Sequence, residues 1–261
     1  MRRFLMASVL AAMPAVAWAQ AEQQETVDRA ALAAQDLLND VNGKDAQSVL
    51  RRARAVMICP RVFKAGFLFG GQGGTCVLTA RDAAGSWSSP AFYGLGGASF
   101  GFQAGMQDAE VAFLIMTQRG LTAIMDSQLK LGADAAATFV DLGGGVEGAT
   151  TMAFNADVVG FSRARGLYAG VSLGGSMLSA KSDWNAAYYG RPVGVQQIVL
   201  TMEATNPAAD PLRSILSRYG TQVAQNAPNR PTTLEQGPVN APPPLRGSVQ
   251  QQPLPPVQRR Y

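Results

Sequence analysis

The chain has 261 residues, a formal net charge of +4, two cysteines and no histidine. Between residues 20 and 227, 16 Lys and Arg residues face 17 Asp and Glu residues, so the excess positive charge lies at the two ends of the chain. A body this close to neutral gives no reason to expect a general polyanion-binding surface, and nucleic acid is not an expected partner. The absence of histidine excludes serine–histidine catalysis and leaves carboxylates as the main available metal ligands.

The first 19 residues have the pattern of a secretory signal peptide. Arg2 and Arg3 precede an uncharged apolar run, and Ala17-Trp18-Ala19 gives the small-x-small pattern of a cleavage site. No cysteine lies near the expected cut after Ala19, so a lipid anchor at the new N-terminus is not expected. We therefore predict a soluble mature protein that is exported, periplasmic or secreted.

Two helices are predicted after the signal peptide. From Glu22 to Val41 apolar residues recur every three to four positions, which predicts an amphipathic helix whose polar face is mainly acidic. A second helix is expected from Lys44 to about Arg52, after the break at Gly43.

The stretch from Arg61 to Gln107 contains eleven glycines among aromatic and aliphatic residues. This glycine content disfavours a helix and is typical of strands with bulges and sharp bends. We predict a β meander here, followed by a strand that is buried on both faces. The strand candidates are Ala55–Cys59, Gly66–Phe69, Thr75–Arg81 and Val111–Thr117, with a glycine-rich run from Tyr93 to Met106.

The two cysteines of the chain are Cys59 and Cys76. In an exported protein an isolated pair is more often a disulfide than a redox or metal site, and we predict that the two are bonded. Such a bond would stabilise the fold by about 3 kcal/mol. Two buried free thiols are the alternative.

The second half of the chain mixes helices and strands. The helical segments expected there are Gly120–Leu129, Asp183–Tyr189 and Pro211 to about Gln225, with a further apolar element at Gln196–Met202. Two strands, Met152–Phe161 and Gly166–Leu178, are predicted to form a hairpin around Ser162–Arg165.

The composition changes near residue 228. Nine of the fifteen prolines fall in residues 228–261, together with many Gln residues and few large apolar groups. Such a segment cannot bury enough surface to order itself, and we predict a disordered tail. The predicted organisation is a signal peptide at 1–19, one folded domain at 20–227 and the tail at 228–261.

Three glycine-rich motifs match enzyme signatures only in part. Gly97 to Gly101 fits the G-x-S-x-G elbow, but that motif needs a histidine. Residues 143–148 fit G-x-G-x-x-G, but a strand-like segment follows where a dinucleotide site needs a helix. Residues 70–74 lack the Lys-Ser/Thr pair of a P-loop. We expect structural glycines at all three positions.

Metal or acid–base chemistry would have to rest on carboxylates. Asp108 with Glu110, or Asp134 with Asp141, could meet in space, but solvated surface acids are the commoner explanation. A paired-carboxylate hydrolase stays an alternative, because any two of the 17 acids could converge. We predict no cofactor, no metal site and no catalytic residue.

One segment of this nearly neutral body has a local excess of positive charge. It contains six basic residues in 21 positions and a single acid, Asp45. Arginines make bidentate contacts with phosphate, and each basic residue adds about 1 kcal/mol near an anionic bilayer. A solvated helix face with salt bridges to the acidic first helix is the alternative. The six residues are Lys44, Arg51, Arg52, Arg54, Arg61 and Lys64.

Four segments carry a family resemblance: AVMICPRVFKAGFLFGG, GSWSSPAFYGLGGASFGFQAG, DVVGFSRARGLYAGVSLGGSML and NAAYYG. Their order and spacing resemble the SYLF-domain family, an actin-regulator-like lipid-binding family, from about Val27 to Gly220. The resemblance implies an α+β domain with a compact, largely antiparallel β core and with N-terminal and C-terminal helices packed around it. It also implies non-enzymatic binding of phosphoinositide-type membranes and, in some relatives, of actin.

Carried onto this sequence, the resemblance implies headgroup contacts by Arg51, Arg52, Arg54, Arg61 and Lys64. The leading hypothesis is an exported, non-enzymatic SYLF-like protein that binds anionic phospholipid surfaces peripherally. Actin is not an expected partner of an exported protein. The alternatives are an envelope scaffold that binds a protein partner through the Pro-rich tail, and the carboxylate hydrolase.

Overall fold

The structure is a computed structural model that describes residues 15–40, 43–126, 137–141, 156–166 and 176–220. The predicted tail at 228–261 and the glycine motif at 143–148 lie outside these ranges. Within them the chain forms six α-helices, one 3₁₀ turn and five strands. None of the described helices combines the length and the apolar character that crossing a bilayer requires.

The helices fall close to the positions that periodicity predicts. They are α1 (Ala15–Asn39), α2 (Gly43–Arg52), α3 (Gln118–Met125), α4 (Ser182–Tyr189), α5 (Val195–Val199) and α6 (Asp210–Gly220), with a 3₁₀ turn at Pro207–Ala209. The expected cleavage point after Ala19 lies within α1.

The strands form one sheet, and the predicted α+β class with a largely antiparallel core is confirmed. The strands are β1 (Ala55–Ala80), β2 (Ala91–Ile115), β3 (Ala137–Asp141), β4 (Val158–Gly166) and β5 (Ser176–Ala180). β2 pairs antiparallel with β1, β4 and β5, and β3 pairs parallel with β4.

The prediction of three separate strands between Ala55 and Arg81 is wrong. β1 is continuous over 26 residues and pairs with β2 from Ala55 opposite Ile115 to Leu78 opposite Ala91. Pro60 does not end the strand, because it sits at a shift in register of the kind that a β-bulge makes. A second shift falls among the glycines near Gly66.

The two halves of β1 lie side by side. The backbone N–H of Arg81 donates to the carbonyl oxygen of Arg54 at 2.7 Å, and a disulfide joins Cys59 to Cys76. At Gly74, a β-carbon would lie 2.5 Å from the carbonyl oxygen of Arg61. Only glycine allows the two backbones to approach this closely. β1 therefore curves back on itself between its halves, over the stretch that contains most of its glycines.

The predicted hairpin around Ser162–Arg165 is also wrong. β4 runs straight through these residues, and each residue from Val158 to Gly166 has a partner on β2. β5 pairs with β2 at the opposite end, where Tyr93 faces Ala180. Within this segment, Arg163 of β4 forms ion pairs with Asp36 on α1 and with Asp40 just after α1.

The sheet is covered on both faces, so alternate residues of one strand enter different clusters. On β1, Val56 and Ile58 pack with α1, α2, α4 and α6, whereas Met57 and Cys59 pack with α3 and α5. All four side chains are at most 2% exposed. Burial on both faces explains why the strand sequences are nearly continuous in apolar residues, and each large side chain contributes about 1.5–3 kcal/mol.

Candidate functional site

The first three predicted headgroup residues lie close together where α2 leads into β1. Arg51 and Arg52 occupy the last turn of α2, and Arg54 directly precedes β1. Arg52 and Arg54 are exposed, and Arg51 is half-buried. The backbone of Arg54 is fixed, since its N–H donates to Ile115 at 2.8 Å and its carbonyl accepts from Arg81. Three arginines thus stand on an ordered backbone.

Arg81 belongs to the same region and was missed at the sequence level. Its Nη1 and Nη2 donate to the carbonyl oxygens of Arg51 and Leu50 at 3.0 and 3.3 Å, and its guanidinium lies 4.5 Å from the ring centre of Trp87. Burial lowers the pKa of Arg81. No glycine follows α2, so the carbonyl oxygens of its last turn need a hydrogen-bond donor from elsewhere in the chain. Nothing in the local sequence indicates which residue supplies that donor.

Arg61 lies elsewhere and is already engaged. It lies seven positions beyond Arg54 along an extended strand, about 20 Å at the usual rise. Its Nε and Nη2 donate to the two carboxylate oxygens of Asp108 at 2.9 and 3.1 Å. This hydrogen bond, with the charge of Asp108, raises the pKa of Arg61. The arrangement is the bidentate geometry that a phosphate would need, so a headgroup would have to displace Asp108.

Lys64 faces away from Arg61. Phe63 is opposite Asp108 in the β1–β2 register, and Lys64 is opposite Gln107. Since directly paired residues share a face and successive residues alternate, Lys64 lies on the opposite face of the ribbon from Phe63 and Asp108. The five predicted headgroup residues therefore do not form one site, and only the three near the end of α2 are brought together.

A groove runs between α1 and the β1–β2 ribbon, and we refer to it as the α1 groove. It consists of two adjoining cavities of about 730 and 460 Å³ that share Arg29, Pro60 and Arg61 as lining residues. On α1 the lining extends from Glu22 to Asp36. Sequence reasoning did not identify this groove, because its two walls are distant in the chain.

The predicted disulfide is present, and it joins Cys59 to Cys76. Both cysteines are fully buried. Both belong to β1, and the bond connects its two halves.

The described residues give no support to the hydrolase alternative. Asp157 is the buried carboxylate among them, and its Oδ1 accepts from Thr117 Oγ1 at 2.5 Å while Arg119 forms an ion pair with it. Asp108 is held by Arg61, and Asp134 lies outside the described ranges. In the part of the chain that is described, acidic and cysteine side chains form no group suited to a metal ion.

The G-x-S-x-G segment, Gly97 to Gly101, lies inside the continuous strand β2. A nucleophile elbow needs a sharp turn from a strand into a helix. A continuous strand agrees with the prediction that these glycines have a structural role and are not part of a catalytic motif.

Comparison with known proteins gives a family. Residues 96–219 match the family described as "Ysc84: Las17-binding protein actin regulator". LAS seventeen-binding protein 3 of Saccharomyces cerevisiae is 32% identical over 184 residues, which are 68% of this chain and 40% of the yeast protein. SH3 domain-containing YSC84-like protein 1 is 30% identical over 172 residues in Homo sapiens and 29% identical over 215 in Rattus norvegicus.

These matches span 66% and 80% of this chain, and 50% and 63% of the human and rat proteins. The chain thus covers less than two thirds of the length of these relatives. No solved structure matches it. The order of the four sequence segments, the α+β fold and the matched relatives agree, and the chain belongs to the Ysc84/SYLF domain family.

Proposed function

We propose that this chain is an exported, non-enzymatic protein that binds anionic phospholipid surfaces peripherally, with Arg51, Arg52 and Arg54 as its principal headgroup contacts. Family membership carries the proposal, because Ysc84/SYLF domains are generally non-catalytic actin- and lipid-binding domains. Export is proposed from the signal-peptide pattern of residues 1–19.

The geometry near the end of α2 supports this choice of residues. The three arginines fall within four positions on a backbone that hydrogen bonds hold in place. Arginine side chains presented on an ordered backbone lose less conformational entropy on binding than those on a mobile loop. Each would add about 1 kcal/mol of attraction near an anionic bilayer. Arg61 and Lys64 are secondary contacts in this proposal, since an extended strand separates both from the three arginines and Asp108 holds Arg61.

Flotation with liposomes tests the proposal. Vesicles of phosphatidylcholine alone are compared with vesicles that also contain phosphatidylglycerol or cardiolipin, at low and high salt. We expect binding only to the anionic vesicles and its loss at high salt, because exposed charges are screened. The double variant R52E/R54E should lose binding, whereas R191E, which reverses an exposed arginine between α4 and α5, should keep it. Equal flotation of both variants would show that the proposed arginines are not the contact.

Binding of a protein partner is the second candidate. The family description and the name of the yeast relative both refer to binding of another protein. For this chain the candidate segment is the Pro-rich tail at 228–261, acting in an envelope scaffold. Deleting residues 228–261 should then abolish capture of the partner and leave vesicle flotation unchanged. A deletion that leaves capture intact would remove the tail from this role.

A further inference from the structure

Gln20 becomes the first residue of the mature chain when the proposed export removes residues 1–19. Cleavage after Ala19 gives it a free α-amino group. In the structure Gln20 lies in α1, five positions after the helix begins at Ala15. The mature helix therefore starts at Gln20, with an amine and a carboxamide on the same residue.

The carboxamide of Gln20 is weakly held. Gln20 is exposed, and its Nε2 donates to the carbonyl oxygen of Ala187 in α4 at 3.4 Å, which is longer than the usual N–H···O distance. The carboxamide can therefore leave this carbonyl and turn towards its own backbone nitrogen at little energetic cost.

The other two glutamines near the start of α1 are held more firmly. Gln24 donates through Nε2 to the carbonyl oxygen of Ala208 at 3.0 Å, and its Oε1 accepts from the hydroxyl of Tyr188 at 3.2 Å. Gln23 is only 3% exposed. Both stay within the chain after cleavage and have no free α-amine. Of the three, Gln20 is the one that combines an exposed carboxamide with a free amine.

The new N-terminal amine would lie at the positive end of the α1 dipole. A protonated amine is unfavourable there, so the dipole favours the neutral, nucleophilic form. Glu22, two positions further on, has the opposite effect, but it also interacts electrostatically with Lys181. Conversion of the amine to an amide removes the unfavourable interaction with the dipole and leaves the interaction of Glu22 with Lys181 in place.

We propose that the mature chain carries a pyroglutamyl N-terminus formed from Gln20, an inference that rests on the export component of the proposed function. The nitrogen of the α-amine forms a bond to Cδ of the side chain. The Cδ–Nε2 bond breaks, and Nε2 leaves as ammonia with a proton taken from the amine. The product is a five-membered lactam, and the reaction needs no oxidant or reductant. Because both groups belong to one residue, their effective concentration is high.

The lactam changes the chemistry of the N-terminus. It carries no positive charge, so the end of α1 adds nothing to the attraction for an anionic bilayer. It also lacks the free amine that aminopeptidases recognise. The start of α1, which Gln24 connects to Tyr188 and Ala208, is thereby protected from digestion that begins at the N-terminus.

Mass spectrometry of the exported protein tests the inference. The full-length chain is expressed in a bacterial host with residues 1–19 in place and is recovered from the periplasmic fraction and the medium. It is analysed intact and as its first tryptic peptide, residues 20–29. We expect a chain that begins at residue 20, is lighter by one ammonia than the chain with a free amine, and does not react at its N-terminus with an amine-labelling reagent.

The outcomes separate this inference from the export on which it rests. A chain that begins at residue 20 with its full mass and a reactive amine would overturn the inference and leave export intact. An exported chain that begins at another residue would have the same meaning. Retention of residues 1–19 would overturn both.

Two variants assign the lost ammonia to one side chain. Q20S has no carboxamide at the N-terminus and should keep a reactive amine. The matched control Q24N changes a glutamine in the next turn of α1 and should be cyclised to the same extent as the wild type. Loss of ammonia in Q20S, or retention of the amine in Q24N, would contradict the assignment to Gln20.

Discussion

Cys59 and Cys76 belong to the same strand, 17 residues apart, and a disulfide joins them inside the core. Two residues so far apart on a straight strand would be separated by more than about 50 Å. The bond is possible only because β1 folds back on itself at its glycine-rich centre. The disulfide therefore connects the two halves of the strand around which the sheet is built.

Loss of this disulfide should destabilise the fold. For the double variant C59A/C76A we expect the free energy of unfolding to fall by about 3 kcal/mol, because the bond closes a 17-residue loop in the unfolded chain. Urea unfolding followed by circular dichroism measures the change. The oxidised wild type provides the reference, and an unchanged midpoint would show that packing alone holds the two halves together.

The approach of the two halves of β1 should also depend on Gly74. A β-carbon there would lie 2.5 Å from the carbonyl oxygen of Arg61, so G74A should reduce the free energy of unfolding by about 1–3 kcal/mol. The matched control is G96A, at a strand glycine with nothing within 4 Å of the added carbon. G96A should be neutral in the same urea titration. Equal losses of stability in G74A and G96A would indicate that replacing any glycine in these strands is destabilising. They would then give no evidence for a specific clash with the carbonyl oxygen of Arg61.

The helices could be predicted from the sequence because their signals are local. The apolar stripe of Glu22–Val41 and the break at Gly43 predict the end of α1 to within two residues and the start of α2 to within one, whereas α1 begins at Ala15, seven residues before the predicted start. The disulfide was predictable for a similar reason, since only two cysteines exist. The fold-back of β1 was not, because it depends on pairing with β2 and on contacts between residues as distant as Arg54 and Arg81.

The candidate site was predictable only in part, for geometric reasons. Arg51, Arg52 and Arg54 are close in sequence and stay close in space, because they span one helix end and the start of a strand. Arg61 is also near them in sequence, but an extended strand carries it about 20 Å away. Its partner Asp108 is 47 residues distant in the chain, so the ion pair had no local signal.

The side chain of Arg81 should stabilise the C-terminal end of α2, because it donates hydrogen bonds to the carbonyl oxygens there. R81K keeps the charge but cannot reach two carbonyl oxygens and stack on Trp87 at once, and we expect a loss of about 2 kcal/mol in the free energy of unfolding. The control is R191K, because Arg191 is exposed and donates to a single backbone carbonyl, that of Glu203. Thermal or urea unfolding should show little change for R191K. Similar losses in both variants would mean that Arg81 has no special capping role.

The ion pair between Arg61 and Asp108 provides a test of Arg61 as a headgroup contact. D108N leaves Arg61 without its carboxylate partner and makes the bidentate guanidinium available to phosphate. We therefore expect stronger flotation with vesicles that contain phosphatidylglycerol. Stability should change little, because the pair is exposed to solvent.

The control for D108N is E203Q, which also removes one exposed carboxylate but lies outside the groove and contacts Arg191 only through its backbone. A rise in vesicle binding that is equal in both variants would reflect net charge alone, because every lost carboxylate reduces repulsion from an anionic surface. A rise in D108N that is absent from E203Q would indicate that the released guanidinium of Arg61 contacts the headgroup.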